Sequence, residues 1–164
     1  MIQIEEMNNA EAMKLIERVG YGHLGCSHDN IPYVVPIHYA VLDSVVYFYT
    51  TEGRKYEIIR ENPNVCLQIE DVREREDWES VMVTGTAVEI LHGKERDDAF
   101  AAIKKRNPWL TPALGIRWMD DWIRENREVI YRLDAASITG RYSVKLNTRA
   151  AFAKPLDTRS NKNN

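Results

Sequence analysis

Apolar and polar positions alternate along most of this chain, and where the alternation fails a helical period takes over. Residues 8–19, NNAEAMKLIERV, put Ala12, Leu15, Ile16 and Val19 on one helical face, with Asn8 or Asn9 as the cap. Gly20 and Gly22 end that helix. Residues 22–51, GHLGCSHDNIPYVVPIHYAVLDSVVYFYTT, read as three strands with turns at Asp29-Asn30 and Asp43-Ser44. Residues 54–62 predict a helix that stops before Pro63, and NVCLQIEDV predicts a fourth strand. REREDWE reads as a solvated charged loop. SVMVTGTAVEIL is a long fifth strand in which Gly85 marks a bulge or a close backbone approach. Residues 94–106, KERDDAFAAIKKR, form an amphipathic helix carrying Phe100 and Ile103, ended by Asn107-Pro108. WLTPALGIRWMDDW reads as irregular chain followed by a short helix. REVIYRLDAASITGRYSVKL is a last strand with a loop after it. From residue 147 the pattern is lost, so residues 1–146 are expected to form a single domain and residues 147–164 a poorly ordered tail.

Strands joined by tight turns pair antiparallel, and six of them need closure or cover for their edges. The expected fold is mainly β with helices, a six-stranded antiparallel barrel with helices filling the gaps.

The totals remove some functions. The chain has 164 residues and a formal net charge of -3, which argues against a general nucleic-acid binder, since such proteins need a basic face. No apolar run approaches the roughly 20 residues of a membrane span, and the acidic start MIQIEEMNNAEAM does not look like a signal peptide. A cytoplasmic location is therefore expected. The two cysteines, Cys26 and Cys66, lie in apolar strands and read as free thiols, without the spacing of a zinc site.

Candidate chemistry sits where a strand runs into a helix, at YFYTTEGRKYEII. A helix N-terminus presents unpaired N–H groups and partial positive charge, and an anion is stabilised there. Thr50 and Thr51 add hydroxyls, Arg54 a planar fork of donors and Lys55 a point charge. The strand before it contains Pro36, which implies an edge or bulge whose free backbone groups could pair with a flat heterocycle. His38 shares a strand face with Pro36 and Val34, opposite Val35 and Ile37.

Five segments, GHLGC, PYVVPIHY, YFYTTEGRKYEIIRENPNVCLQIE, SVMVTGTA and RLDAASITGR, fall in the order seen in the pyridoxamine 5'-phosphate oxidase-like FMN-binding split barrels. The chain resembles that family over roughly residues 10–145, most closely the branch of the nitroimidazole-resistance proteins. The resemblance implies a split β-barrel and a homodimer with FMN at the interface. It also implies a phosphate grip at Thr50, Thr51, Arg54 and Lys55, with Tyr49 beside it among the cofactor-binding residues. Val35, Pro36, Ile37 and His38 would run along the flavin edge, and Ser80 and Trp78 would reach the flavin from the fifth strand. True pyridoxamine phosphate oxidases carry an arginine and a lysine where this chain has Tyr33 and His38, and a C-terminal substrate motif that it lacks. Those departures argue against vitamin B6 oxidation.

The expected function is a flavin-dependent oxidoreductase that passes electrons from a reduced nicotinamide to a small acceptor such as a nitro compound. His38 is the candidate for proton delivery, because its ordinary pKa lies near neutrality. The alternatives are a non-catalytic module that stores or senses flavin, and a haem protein using His23, His28, His38 or His92 as axial ligand. Trp109, Trp118 and Trp122 are expected to be core or interface residues.

Overall fold

The computed structural model describes residues 2–107 and 127–145. In chain order the elements are β1 (Ile2–Glu6), α1 (Asn9–Val19), β2 (Tyr21–His28), β3 (Ile31–Leu42), β4 (Val45–Thr51), α2 (Arg54–Glu61), β5 (Asn64–Glu74), β6 (Asp77–Glu89), α3 (Lys94–Arg106) and β7 (Glu128–Lys145). The strands follow the order β7-β4-β3-β2-β5-β6, and β6 pairs back onto β7. The result is the expected closed six-stranded antiparallel barrel, with β1 added to the far end of β7 from Ile2↔Lys145 to Glu6↔Arg141.

The turns are those the sequence calls for. Asp29, Asn30, Asp43 and Ser44 all have positive φ, between 50° and 64°. Two-residue hairpins need such paired left-handed positions, and Asn and Asp adopt them readily. Gly85 sits at a register shift between β6 and β7, where an added Cβ would lie 2.2 Å from the Asp134 carbonyl oxygen, so the close approach expected there exists.

Two expectations fail. β1 was not anticipated, although Ile2-Gln3-Ile4-Glu5 alternates: the run is only five residues long, and both isoleucines stay exposed even in the sheet. REREDWE is not a loop. β5 and β6 run on through it, leaving only Arg75 and Glu76 in the turn. Opposite charges hold the hairpin: Arg73 pairs with Asp77 at 2.7 Å, and Arg18 of α1 reaches Asp71 and Glu79. The segment WLTPALGIRWMDDW with its tryptophans, and the tail from residue 147, lie outside the described residues.

The barrel interior is filled by Leu24, Phe48, Leu67, Ile69, Val81, Val83 and Tyr131, all essentially inaccessible. Helix α1 adds Leu15 and Ile16 to this core, and the Tyr39 hydroxyl donates to the Ile16 carbonyl at 2.7 Å. A reciprocal cap between Asn8 and Glu11 starts α1, and Gly20, at φ 70°, ends it. Helix α3 lies outside the barrel. It covers Ala40, Tyr47, Tyr49 and Ile130 with Ala99 and Ile103, forming a second core. No helix among the described residues is long and apolar enough to cross a membrane.

Candidate functional site

Pro36 explains where the barrel opens. Its pair across β2 is His23, while Tyr39 N–H bonds to the Gly20 carbonyl. Bonded positions alternate, so Ile37 and Val35 also turn their amides to β2, and Pro36 takes the position between, facing away. On that far side β3 pairs with β4 only over Tyr39–Leu42. The missing N–H of Pro36 therefore falls where β4 has already left, and the sheet is locally an edge there.

Helix α2 starts beside this gap. Its N-cap is Gly53, which makes no side-chain cap, so its first-turn amides lack a side-chain acceptor. A Cβ on Gly53 would meet no protein atom within 4 Å, which leaves open space beside those amides. The two cations that follow diverge. Arg54 is exposed, with its guanidinium 5.3 Å from the centre of the Tyr33 ring. Lys55 turns inward towards Cys26. Burial lowers its pKa, and the same burial raises that of the Cys26 thiol, with the nearby ammonium opposing. Among the described residues Lys55 makes no ion pair with a carboxylate, although Glu52 lies three residues away.

Arg127 accounts for that. Its guanidinium holds Glu52 at 2.8 Å and Glu89 at 2.9 Å, and donates to the Tyr56 hydroxyl at 2.7 Å. The Glu52 amide also bonds to the Arg127 carbonyl at 3.3 Å. Glu52, the acidic side chain just before α2, is thus neutralised from outside, and Glu57 in the first turn is exposed without an ion pair to either cation among the described residues, leaving Lys55 and Arg54 available to another anion. Sequence reasoning missed Arg127. It lies 75 residues from Glu52 and only the β4–β7 pairing brings them together.

The other site residues divide by strand alternation. Pro36, His38, Ser80 and Trp78 all stand on the outer face of the barrel, along a continuous row Pro36–His23–Gln68–Met82 that crosses β3, β2, β5 and β6. Three strand spacings make that row about 14 Å wide. No helix of the described chain covers it. Val34 remains 62% exposed and Tyr21 41%. His38 is exposed beside Tyr21, ring centres 5.3 Å apart. Ser80 lies 3.5 Å from the Gln68 amide nitrogen, and with Trp78, Met82, Met7 and Thr139 it lines a hollow of about 610 Å³.

Val35 and Ile37 point the opposite way, into the barrel core, so only their backbone is near this face. Tyr49 is also elsewhere. Its side chain is buried under α3 near Phe100, and burial together with the Glu128 carboxylate pushes its pKa up to about 12. The Tyr49 hydroxyl forms no hydrogen bond of ordinary geometry there. Thr50 is buried, with its hydroxyl donating to the Thr51 carbonyl at 3.1 Å. Thr51 is half-buried at the start of the gap.

Residues 8–142 match the sequence profile of the family described as pyridoxamine 5'-phosphate oxidase. The chain belongs to that family. It is 28% identical over 143 residues to an uncharacterized protein, RA0666, of Rhizobium meliloti, an alignment that covers 84% of this chain and 94% of the relative. Among solved structures it superposes on an FAD-binding protein of Mesorhizobium loti with a TM-score of 0.72 and 26% identity, covering 88% of this chain and all of the other. It also superposes on a candidate 5-nitroimidazole antibiotic resistance protein of Bacteroides thetaiotaomicron, with a TM-score of 0.65 and 18% identity over 87% of this chain and 89% of that one. The last likeness shows the fold alone.

Proposed function

We propose that this protein binds FMN, or the flavin mononucleotide half of FAD, and uses it as a cytoplasmic oxidoreductase. Electrons would pass from a reduced nicotinamide to a small acceptor, a nitro compound or similar. The observation that carries this reading is the joint at α2. There an ammonium is drawn inward without a carboxylate partner, beside helix amides without a side-chain cap and at the edge of an uncovered sheet face. Removing an ammonium from water is costly unless an anion meets it. Lys55, the α2 amides and Arg54 would hold the phosphate.

The outer face of β3, β2, β5 and β6 would then take the ring system. Pro36 and Val34 offer it apolar contact, and Ser80 a hydrogen bond across about 14 Å of sheet. A bound flavin supplies the hydride and electron chemistry. The protein would orient it, and the exposed imidazole of His38 would stand ready to deliver a proton to the acceptor. A second copy of the chain would cover what the flavin leaves exposed, so the protein would be a homodimer with shared sites.

The test is the visible spectrum of the purified protein, followed by release and identification of the chromophore and light scattering for mass. Flavin bands and twice the chain mass are expected. A colourless monomer that takes up no added flavin sinks the reading, and a Soret band replaces it with haem. If flavin is bound but nicotinamide oxidation with acceptor stays at the rate of free flavin, the protein stores or senses flavin rather than turning it over.

A further inference from the structure

Arg127 sits beside the joint at α2 and ties three elements together there. Its guanidinium holds Glu52 just after β4 and Glu89 at the end of β6, and it donates to the Tyr56 hydroxyl in the first turn of α2. It also lies 5.5 Å from the centre of the Tyr56 ring. We propose that Arg127 is a specificity-determining positioning residue. By keeping Glu52 off Lys55, it makes the site select phosphorylated flavins over riboflavin. The proposal rests on the flavin reading above.

Glu52 precedes Lys55 by three residues, the spacing at which side chains meet across one helical turn. A free carboxylate there would pair with the inward-drawn ammonium and take the place of a phosphate. Arg127 holds that carboxylate instead, and the Glu52 amide bonds to the Arg127 carbonyl at 3.3 Å, so backbone and side chain keep Glu52 on the same side. Glu89 is the less exposed of the two acids, 23% against 46%, and anchors the guanidinium from β6. Tyr56 completes the clamp. It is the third residue of α2, so its amide belongs to the turn whose N–H groups would meet the phosphate. Arg60 stands over the same ring at 5.7 Å but makes no ion pair with Glu52 among the described residues. Stability does not account for the Arg127–Glu52 pair, because both side chains are about half exposed and such pairs add little to folding. Its effect on an anion is larger. A carboxylate beside the phosphate repels it, whereas riboflavin carries no charge for Glu52 to act on.

The experiment titrates riboflavin and FMN into apo-protein and reads flavin fluorescence, with thermal melts alongside. Lys55 is expected to carry roughly one to two decades of phosphate affinity, so Arg127→Gln, which frees Glu52 to occupy it, should weaken FMN about tenfold and leave riboflavin within about twofold. Adding Glu52→Gln to Arg127→Gln should restore FMN to within about twofold of the parent, because the competing carboxylate is gone. Glu52→Gln alone should change neither ligand, since Arg127 already holds that carboxylate away and Glu89 still balances the guanidinium. Equal losses of FMN and riboflavin in Arg127→Gln would make the residue a structural support of the joint and overturn the proposal while the flavin reading stands. So would a double variant as weak as Arg127→Gln, which would mean that the guanidinium attracts the phosphate by its own charge. If Arg127→Gln does not fold, Glu52→Gln alone decides: unchanged FMN affinity upholds the proposal, and tighter FMN shows a carboxylate that was never neutralised and overturns it. Failure of the parent to bind either flavin overturns both readings.

Discussion

The barrel has two outer faces built on the same alternation, and they differ in what covers them. Over β4 and the adjoining parts of β3 and β7, the outward positions are Ala40, Tyr47, Tyr49 and Ile130, and α3 seals them with Ala99 and Ile103. Over β2, β5, β6 and the first half of β3, the outward positions are Val34, Pro36, His38, Tyr21, Gln68, Met82 and Ser80, and no described helix covers them. A face meant only for water would be uniformly polar. This one mixes valine, proline, methionine and aromatic rings with a few hydrogen-bonding groups, the composition of a ligand or partner surface. Covered apolar positions hold the fold together. Uncovered ones on an equivalent face are available for function.

The largest effect should separate the two faces by stability. Ile103→Ala removes a fully buried side chain of the α3 seal, and such truncations cost about 2–5 kcal/mol. Val34→Ser on the open face should stay within about 0.5 kcal/mol for the apo-protein. Urea melts of both variants test this. A Val34→Ser loss as large as that of Ile103→Ala would mean the open face is already core in the free protein.

Alkaline pH should act on the buried positions, Tyr39 in the barrel interior and Tyr49 under α3, rather than on the open face. Tyr39 and Tyr49 are both buried, and burial is the first cause that pushes each pKa up to about 12. The unfolded chain releases these protons near pH 10, so between about 10 and 12 the folded state holds protons that the unfolded state does not. The stability they contribute is complete below pH 10 and falls as pH rises through about 12. The loss should be of order 2 kcal/mol for each tyrosine. Denaturation midpoints at pH 8, 10 and 11 should decline, and Tyr39→Phe with Tyr49→Phe together should reduce the decline, the remainder coming from Tyr131, whose pKa burial also raises.

Lys55→Ala tests the edge where the open face meets α2. A hydrogen bond to a charged group contributes about 1.5–3 kcal/mol, and each 1.4 kcal/mol is tenfold in affinity. Flavin affinity should fall by roughly one to two decades. The apo-protein should be no less stable, because a partly buried cation without a carboxylate is a cost. Arg54→Ala should cost FMN less. The guanidinium's planar fork would by itself favour the reverse ranking, but the structure draws Lys55 inward and leaves Arg54 exposed. If Arg54→Ala is the more damaging to FMN, donor geometry outweighs burial at this joint.

Much of the barrel was legible because its rules are local. Paired Asp-Asn and Asp-Ser turns fix hairpins, Asn8 and Glu11 fix a helix start, and alternation fixes which side faces in. The site was legible as far as adjacency along the chain goes, at Thr50 to Lys55 and around Pro36. What escaped needs partners distant in sequence. β1 exists only because β7 is there to pair with it. The Arg73–Asp77 hairpin reads as a charged loop until Arg18 of α1 is seen to bind its acids. Arg127 has no motif at all. Tyr49 illustrates the opposite error: its neighbours in sequence are site residues, but the period of 2 turns its side chain to α3.

The smallest effects sharpen the comparison most, because they come from single hydroxyls on the two faces. Among the described residues Tyr49 Oη has no hydrogen bond of ordinary geometry, only the Glu128 carboxylate nearby, and a buried hydroxyl so poorly paired costs about 1–3 kcal/mol of desolvation. Tyr49→Phe should therefore leave the melting temperature unchanged or raise it slightly at neutral pH. Since the ring stays under α3, flavin affinity should not move. Ser80 Oγ faces the open side, where it lies only 3.5 Å from the Gln68 amide nitrogen, a weak contact that leaves it able to bond elsewhere. A neutral hydrogen bond contributes about 0.5–1.5 kcal/mol, so Ser80→Ala should weaken flavin binding by roughly two- to tenfold with no change in the apo melt. Thermal melts and flavin titrations on the pair give four numbers. If Tyr49→Phe lowers flavin affinity while Ser80→Ala does not, the ligand lies against the wrong face. The division between a sealed side and a binding side would then have to be drawn the other way round.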